Sequence, residues 1–214
     1  AAPSGNPFVA YDFLDVLEQS GCAVERTGWG PQHLAIEDEA GEVGAVMPLY
    51  LKSHSQGEYI FDHSWADAYE RAGGRYYPKL LAAAPFTPAT GPRLLVRPDV
   101  PAQAGYDMLL GGALTLCQQM GVSSVHINFS PQAEWDWLGA QGLAQRQGQQ
   151  YHWFNRGYGS FDDFLGDLSS GRRKTIRRER RDAQAGLEIV GLTGADLTED
   201  AWDAFYGFYM DTGS

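Results

Sequence analysis

The chain has 214 residues, of which 43% are hydrophobic and 13% aromatic, so it can bury a core and is not predicted to be disordered. No apolar run approaches the roughly 20 residues that cross a bilayer. Two cysteines without a C-x-x-C pair and five histidines without ligand spacing exclude a disulfide framework and predict no metal site. We expect one globular domain, or one domain and part of another, in a reducing cytoplasmic compartment.

The net charge of −11 is unevenly distributed. Seven of the ten residues from 172 to 181 are basic and one is acidic, whereas the rest of the chain carries −17. An acidic body is a poor general binder of nucleic acid, because its whole surface repels phosphates. The basic segment is therefore either a solvated face or strut on its own protein, or a site for one local polyanion such as a diphosphate, an RNA backbone or an anionic lipid. The candidate anion-binding residues are Arg172, Arg173, Lys174, Arg177, Arg178 and Arg181.

The first half of the chain is predicted to contain a helix, a hairpin and several short elements. Apolar residues at helical spacing predict a helix over 8–19, which ends before Gly21. A turn at 38–41 separates extended residues 32–37 from an alternating strand over 43–52, in which Pro48 predicts an edge or a bulge. The next predicted elements are a strand at 58–61, a helix at 63–72, a strand at 79–84 and a strand at 93–96.

The second half is predicted to be richer in helix. Its predicted elements are a helix at 104–120, a strand at 124–129, a helix opened by Pro131, a strand at 143–155, a helix at 161–186, a strand at 187–190 and a helix at 199–210 with Thr198 as its N-cap. This order predicts a mixed α/β fold whose first half is largely antiparallel.

The densest chemistry lies at residues 58–65 and 75–79. Asp62 directly precedes a predicted helix, so it is either that helix's N-cap or the residue that orients His63 as a general acid or base. Imidazole suits that role because it is the side chain that changes charge near neutral pH. Aromatic side chains with polar tips line ligand pockets and also build ordinary cores. The candidate binding residues here are Tyr59, Trp65, Tyr76, Tyr77 and Lys79.

Two further features each allow two interpretations. The loop from Thr87 to Arg93 is either a rigid turn or a pocket wall, with Arg93 available for an anionic group. Thr90 and Arg93 are both candidate substrate-binding residues. His126 and Asn128 share one face of a predicted central strand, as either a satisfied buried pair or the floor of a pocket.

Several motifs resemble a known bacterial family. GEYIFDHSWA at 57–66, YERAGGRYYPKL at 69–80, and PFTP and TGPR between 85 and 93 resemble predicted N-acyltransferases that are GNAT-like and grouped with the FemAB-type peptidoglycan aminoacyltransferases. The basic stretch LSSGRRKTIRRERR at 168–181 is similar to the helix that joins the two halves of such proteins. The resemblance runs from about residue 10 to residue 214.

The resemblance implies a GNAT-like fold, with a mostly antiparallel sheet flanked by helices. Family members have two GNAT-like halves. The implied divisions are a first GNAT-like domain at 1–160, a basic linker helix at 161–186 and the start of a truncated second domain at 187–214.

The implied reaction moves an acyl or aminoacyl group from acyl-CoA or aminoacyl-tRNA to a small-molecule amine, in cell-envelope or peptidoglycan metabolism. His63 is then the candidate base, with Asp62 orienting it and Tyr76 protonating the leaving group or holding the acceptor. The basic helix would meet tRNA or a diphosphate, and no firmly bound cofactor is expected. The alternative is a non-catalytic module that binds an anionic or cell-wall ligand through the aromatic and Arg-lined region and the basic helix.

One stretch departs from the GNAT pattern. An acyl-CoA site needs a Gly-rich turn whose backbone N–H groups face the pyrophosphate at a helix N-terminus. Residues 95–105 read LVRPDVPAQAG, in which two prolines remove donors and a single glycine is present. The sequence therefore predicts that the donor site lies in the other half of the protein.

Overall fold

The computed structural model describes residues 5–149 and 151–213, and the chain divides into two compact units at 1–149 and 150–214. The α-helices are α1 (Tyr11–Gln19), α2 (His63–Arg71), α3 (Ala102–Met120), α4 (Gln132–Ala140), α5 (Phe161–Gly166), α6 (Ser170–Gln184) and α7 (Glu199–Gly213). The strands are β1 (Trp29–Pro31), β2 (Leu34–Glu37), β3 (Val43–Met47), β4 (Tyr50–Lys52), β5 (Lys79–Ala82), β6 (Leu95–Val96) and β7 (Val125–Ile127).

The first unit holds two sheets. One has the strand order β1-β4-β5-β7 and the other β2-β3-β6. Every pairing is antiparallel except the parallel pair β5–β7. The predicted mixed α/β class with mainly antiparallel strands is therefore confirmed. The strand β7, predicted to be central, lies at an edge of its sheet among the described residues.

Pro48 divides the predicted strand at 43–52 between the two sheets. Before it, β3 pairs with β2 and β6; after it, β4 pairs with β1 and β5. A proline has no N–H for a ladder, so pairing stops there and the chain can change direction. The interruption was predicted, whereas the change of sheet and the strand β1 were not.

The main core lies between the two sheets and helices α3 and α4. It contains Met47, Leu80, Leu109 and Leu138, all buried. The four-stranded sheet also has a second face, where the smaller cluster of Trp29, Tyr50, Leu81 and Ala83 is buried. Side chains alternate between the two faces of a strand, so Lys52, Lys79 and His126 lie on this second face as well.

Three predicted strands do not form among the described residues. At 58–61 the chain is irregular, since Tyr59 and Phe61 adopt left-handed backbone angles. Residues 143–149 and 151–155 are polar-rich and have no strand neighbour, and residues 187–190 are exposed and likewise unpaired. A strand is stable only when a neighbour takes its backbone hydrogen bonds, and none is placed to do so here.

The second unit is helical. The helix predicted over 161–186 is interrupted at 167–169, which separates α5 from α6. Thr198 caps α7 as predicted, its hydroxyl accepting from the backbone N–H of Ala201 at 3.3 Å. The proposed domain boundaries at 160 and 186 remain predictions. Within the described part of the chain, no helix is long and apolar enough to cross a membrane.

Candidate functional site

The strand register places two lysines side by side on the second face of the four-stranded sheet. Lys52 on β4 is paired directly with Lys79 on β5, and Trp29 on β1 is paired with Lys52. Both lysines are fully buried. Like charges directly opposite each other in a sheet are destabilising, so this arrangement requires compensating groups.

The segment between β4 and α2 supplies those groups. The ammonium of Lys79 donates to Glu58 at 3.0 Å, to Asp62 at 2.8 Å and to the hydroxyl of Ser55 at 2.9 Å. Both carboxylates are buried. Lys79 therefore uses all three of its donors within the protein, and two buried acids balance the two buried lysines. We call Lys52, Ser55, Glu58, Asp62 and Lys79 the buried charge cluster.

Lys52 has a less polar environment than Lys79. Its ammonium lies 3.5 Å from the centre of the Trp29 ring and donates to the carbonyl of Gln56 at 3.2 Å. Burial lowers the pKa of Lys52 to about 7; the charge of Lys79 acts in the same direction, while Glu58 opposes it. Near neutral pH this amine is consequently divided between its charged and neutral forms.

The two acids of the cluster differ in their electrostatics. Burial acts to raise the pKa of Asp62, but hydrogen bonds from Lys79 and Tyr76 outweigh it and lower the pKa to about 2. Burial raises the pKa of Glu58, and the attraction of Lys79 offsets only part of that. Asp62 is thus the permanently charged partner of Lys79.

Three half-buried side chains lie beside the cluster. The hydroxyl of Tyr76 donates to Asp62 at 2.7 Å, and that of Tyr77 is 2.7 Å from the Ser55 hydroxyl. His126 meets the Tyr76 ring edge-on at 5.8 Å, and burial, followed by the charge of Lys79, lowers its pKa to about 4. A neutral imidazole and a hydroxyl held by a carboxylate can both bind a polar ligand.

The predicted pairing of Asp62 with His63 is not observed. Asp62 stands at the N-cap position of α2, yet its side chain makes no capping bond and turns to Lys79 and Tyr76 instead. His63 is exposed in the first turn of α2. Asp62 therefore occupies the N-cap position without capping through its side chain, and its role in orienting His63 remains a prediction. General-base catalysis by His63 remains a prediction.

Tyr59 and Trp65 lie at the surface rather than against the cluster. Tyr59 and Phe61 have φ angles of 58° and 48°, in the left-handed region that side chains rarely adopt. Trp65, on α2, has the guanidinium of Arg146 5.5 Å from its ring centre. The aromatic residues predicted as one group therefore divide into a half-buried set and an exposed set.

The side chain of Arg93 stabilises the loop at residues 87–93 by bonding to backbone carbonyls. It is buried and donates to the carbonyls of Asn128, Gly91 and Ala89 at 2.9, 2.9 and 2.7 Å. Its backbone N–H donates to Glu134 at 2.9 Å. With its guanidinium engaged by carbonyls, Arg93 is not available for an anionic ligand as predicted; the rigid-turn interpretation is the one the structure supports.

The remaining residues of that region do not join the buried charge cluster. Thr90 is exposed, and its carbonyl accepts from the Asn6 amide at 3.1 Å. Asn128 lies just beyond β7, buried, and accepts from Arg93 through its backbone carbonyl. Of the predicted pair on this face, His126 is near the cluster and Asn128 belongs to the Arg93 loop.

In the second unit, α6 carries a basic stripe. Lys174, Arg177, Arg178 and Arg181 follow the i, i+3, i+4, i+7 spacing of one helix face and line a shallow surface depression. Arg177 pairs with Asp162 at 2.8 Å and Arg181 with Asp182 at 2.8 Å, whereas Lys174 and Arg178 have no ion pair within the described residues. Arg172 lies on the opposite face, and Arg173 donates to the Leu168 carbonyl at 3.2 Å.

A comparison with family models places the whole chain, residues 1–214, in the FemAB-like family, described as peptidoglycan biosynthesis/recognition. The chain belongs to the FemAB-like family. Comparisons with curated proteins and with solved structures gave no match. Family membership supports a role connected with peptidoglycan, and the aminoacyl-transfer interpretation agrees with it.

The first turns of α3 in this FemAB-like chain pack closely against β6. A side chain at Gly105 would lie 2.5 Å from Val96, so the glycine permits α3 to approach β6 closely. Gln103 donates to Asp107 at 3.1 Å. The departure from the GNAT pattern at 95–105 stays a prediction.

Sequence reasoning missed several residues of this site. Lys52, Ser55 and Arg146 were not singled out, and Glu58 was noted only as the first residue of the segment 58–65. A signal for Lys52 was present, because it follows Tyr50 at period two and so falls on the same strand face, buried, as that aromatic residue. No local signal indicated that Glu58 pairs with Lys79, which is 21 residues away in sequence.

Proposed function

We propose that this FemAB-like protein transfers an aminoacyl group from aminoacyl-tRNA to an amine of a peptidoglycan precursor. The observation that carries the proposal is the family match, which extends over residues 1–214. In the reaction the amine nitrogen attacks the ester carbonyl, a C–N bond forms and the C–O bond to the tRNA ribose breaks. The amine loses a proton, and the leaving ribose hydroxyl gains one.

Two observations favour aminoacyl-tRNA over acyl-CoA as the donor. The turn at 97–101 lacks the glycines that would bring backbone N–H groups to a pyrophosphate. The stripe on α6 instead repeats positive charge along one face, which suits the repeating phosphates of a nucleic-acid backbone. A GNAT-like fold for the first unit is part of this proposal and is supported by its mixed, mainly antiparallel sheets.

The residues beside the buried charge cluster have proposed roles in holding the acceptor. Tyr76 keeps its proton, since burial and then its bond to Asp62 raise its pKa, so its oxygen accepts a hydrogen bond from the amine rather than a proton. His126 is neutral at pH 7 and offers a ring nitrogen to the same ligand. His63 is proposed as the base; it is exposed, and a bound acceptor would have to reach the start of α2.

The proposal is tested by an aminoacyl-transfer assay with the full-length protein. The donor is tRNA that carries a radiolabelled amino acid, and the acceptor is a peptidoglycan stem peptide with a free side-chain amine. We expect the label to move to the peptide, and parallel reactions with acyl-CoA to give no acylated peptide. Tyr76→Phe should raise KM for the peptide, whereas His63→Ala should lower kcat. Saturable binding of the peptide without any transfer would instead support the non-catalytic module.

A further inference from the structure

We infer that the side-chain amide of Asn128 and the ring N–H of His126 stabilise the oxyanion that forms when the acceptor amine attacks the acyl carbonyl. This oxyanion site deepens the proposed function and rests on it for the reaction. It concerns the acyl carbonyl, whereas Tyr76 is proposed to hold the acceptor amine. It also gives the Arg93 loop a part in positioning a reacting group.

The amide nitrogen of Asn128 is a buried donor without an acceptor. Asn128 is 8% exposed, and its Nδ2 has no hydrogen-bond partner within the described residues. Buried polar groups in native proteins are nearly always bonded, because an unbonded one has lost its water without a replacement. A free donor of this kind suits an acceptor that is present only during a reaction.

Asn128 and His126 face the same side of the four-stranded sheet. Asn128 continues the pairing of β7 by one residue, since its backbone N–H donates to the carbonyl of Ala82 at 3.0 Å. Side chains two residues apart on a strand lie on one face, with about 6–7 Å between their Cα atoms. One oxygen between the two side chains can therefore accept hydrogen bonds from the amide and from the imidazole.

The backbone of Asn128 is held on both sides. Nε of Arg93 donates to its carbonyl at 2.9 Å, and the other Arg93 donors bind the carbonyls of Gly91 and Ala89. The next residue, Phe129, has a φ angle of 55°, and its carbonyl accepts from the N–H of Gly91 at 3.0 Å. A left-handed residue with a Cβ persists only where its surroundings impose it. Donors that stabilise a transition state work best when they are fixed in advance, and this loop fixes Asn128.

The charges near His126 favour a negatively charged ligand. Burial is the main cause of its lowered pKa; the charges of Lys79 and Arg146 also lower it, while Asp62 acts against them. Asp62 is already bonded to Lys79 and Tyr76. Cations that disfavour a proton on the imidazole favour an oxyanion beside it, and the neutral ring keeps one N–H to donate.

The two donors act without transferring a proton. As the amine nitrogen bonds to the carbonyl carbon, the π electrons of the C=O bond move to the oxygen, which becomes negatively charged. Hydrogen bonds to that oxygen are stronger in the transition state than in the ground state, so they lower the barrier. When the C=O bond re-forms, the C–O bond to the ribose breaks, and the ribose oxygen gains the proton that the amine loses.

Asn128→Ala tests the site by stability and by kinetics. The amide has no partner in the folded protein, so its removal should not lower the urea midpoint of unfolding. In the radiolabel assay we expect kcat to fall about 100-fold with KM for the peptide unchanged, as the loss of one oxyanion donor implies. Asn155→Ala removes an exposed amide from the second unit and should keep the wild-type kcat.

Two results would overturn the oxyanion site while leaving the transferase standing. One is a wild-type kcat in Asn128→Ala. The other is a lowered urea midpoint in that variant, which would identify the amide as a structural group.

A second measurement does not depend on transfer. The probe is the methyl ester of 1-aminoethylphosphonic acid, whose tetrahedral anion imitates the intermediate of alanine transfer. We expect this probe to shift the side-chain amide resonance that Asn128→Ala removes from the NMR spectrum of the full-length protein, and to bind that variant about tenfold more weakly. Alaninamide, which has no anionic oxygen, should leave the resonance in place.

The two measurements separate the two proposals. Phosphonate binding that shifts the Asn128 amide, with no transfer to the peptide, would refute the transferase and leave the anion site standing. Transfer to the peptide with no phosphonate shift would overturn the oxyanion site alone.

Discussion

Lys79 has no contact with solvent and holds two buried carboxylates, so its replacement removes the cation to which both acids are bonded. Breaking a buried pair by removing one partner costs about 3–5 kcal/mol. We expect Lys79→Met to lower the free energy of unfolding by that order, measured by urea denaturation. Lys174→Met removes an exposed lysine from α6 and should change stability by less than about 0.5 kcal/mol. A Lys79→Met protein as stable as the wild type would show that the cluster contributes little.

Lys52 makes stability depend on pH in a defined window. Its pKa in the folded protein is about 7, below the usual value of 10.5. Between those values the unfolded chain binds more protons than the folded one, so stability rises as pH increases from 7 toward 9. The slope contributed by one full proton is about 1.4 kcal/mol per pH unit.

The Lys52→Met variant isolates this contribution. We expect urea denaturation at pH 7, 8 and 9 to show a smaller rise in stability than for the wild type. The comparison is made only below pH 10. Burial raises the pKa of Tyr50 and Tyr76, so above pH 10 the folded protein keeps protons that the unfolded chain loses, and this lowers stability as pH rises. Parallel pH profiles for the two proteins would contradict the role given to Lys52.

At the scale of single elements, the two faces of α6 can be compared within one helix. Lys174 and Arg178 belong to the basic stripe and have no ion pair in the described residues, whereas Arg172 lies opposite and Arg180 packs 4.5 Å from the Phe161 ring centre. Lys174→Gln/Arg178→Gln should weaken tRNA binding and reduce the slope of log K against log salt by about 1 to 2. Filter binding over a range of KCl concentrations measures both.

The matched control is Arg172→Gln/Arg180→Gln, which removes the same charge from the rest of the helix. Equal losses in the two double variants would mean that only net charge matters. A loss of stability without a loss of affinity would instead identify the stripe as an intramolecular strut.

Elements with a strong local pattern were predictable from the sequence. The helices α2 and α3 and the strand β5 were located to within about two residues, because their periodicity and glycine or proline boundaries are local signals. The segment at 58–61 was not, since its shape depends on Lys79, which is distant in sequence. Among its described residues, 143–149 and 151–155, the strand predicted at 143–155 has no partner, which periodicity alone cannot reveal.

The candidate site was predictable in part for the same reason. Asp62, Tyr76, Tyr77 and Lys79 were singled out by residue type, and the structure brings them together. Their connections were not foreseen, because the register between β4 and β5 decides which lysines face the acids. Arg93 illustrates the opposite case: its charge suggested a ligand, and its carbonyl partners give it a structural role.

For the whole molecule, the division into two units predicts a preferred site of proteolysis. Residues 143–149 and 151–160 contain no helix or strand, and nearly all are exposed. Extended exposed chain between compact units is where proteases cut first. Limited digestion should give a resistant fragment ending between residues 142 and 160, assigned by mass spectrometry. Initial cuts within α3 or β5 would argue against two independently compact units.

The facing of Lys52 and Lys79 also constrains how the family can diverge. Loss of Lys79 removes the cation bonded to both acids, and loss of either acid leaves two adjacent lysines with one carboxylate fewer. We therefore expect a substitution at one of these positions to be accompanied by a substitution at another. In an alignment of FemAB-like sequences, positions 52, 58, 62 and 79 should covary, with lineages that replace a lysine by an apolar residue also replacing an acid. Independent variation at the four positions would contradict this expectation.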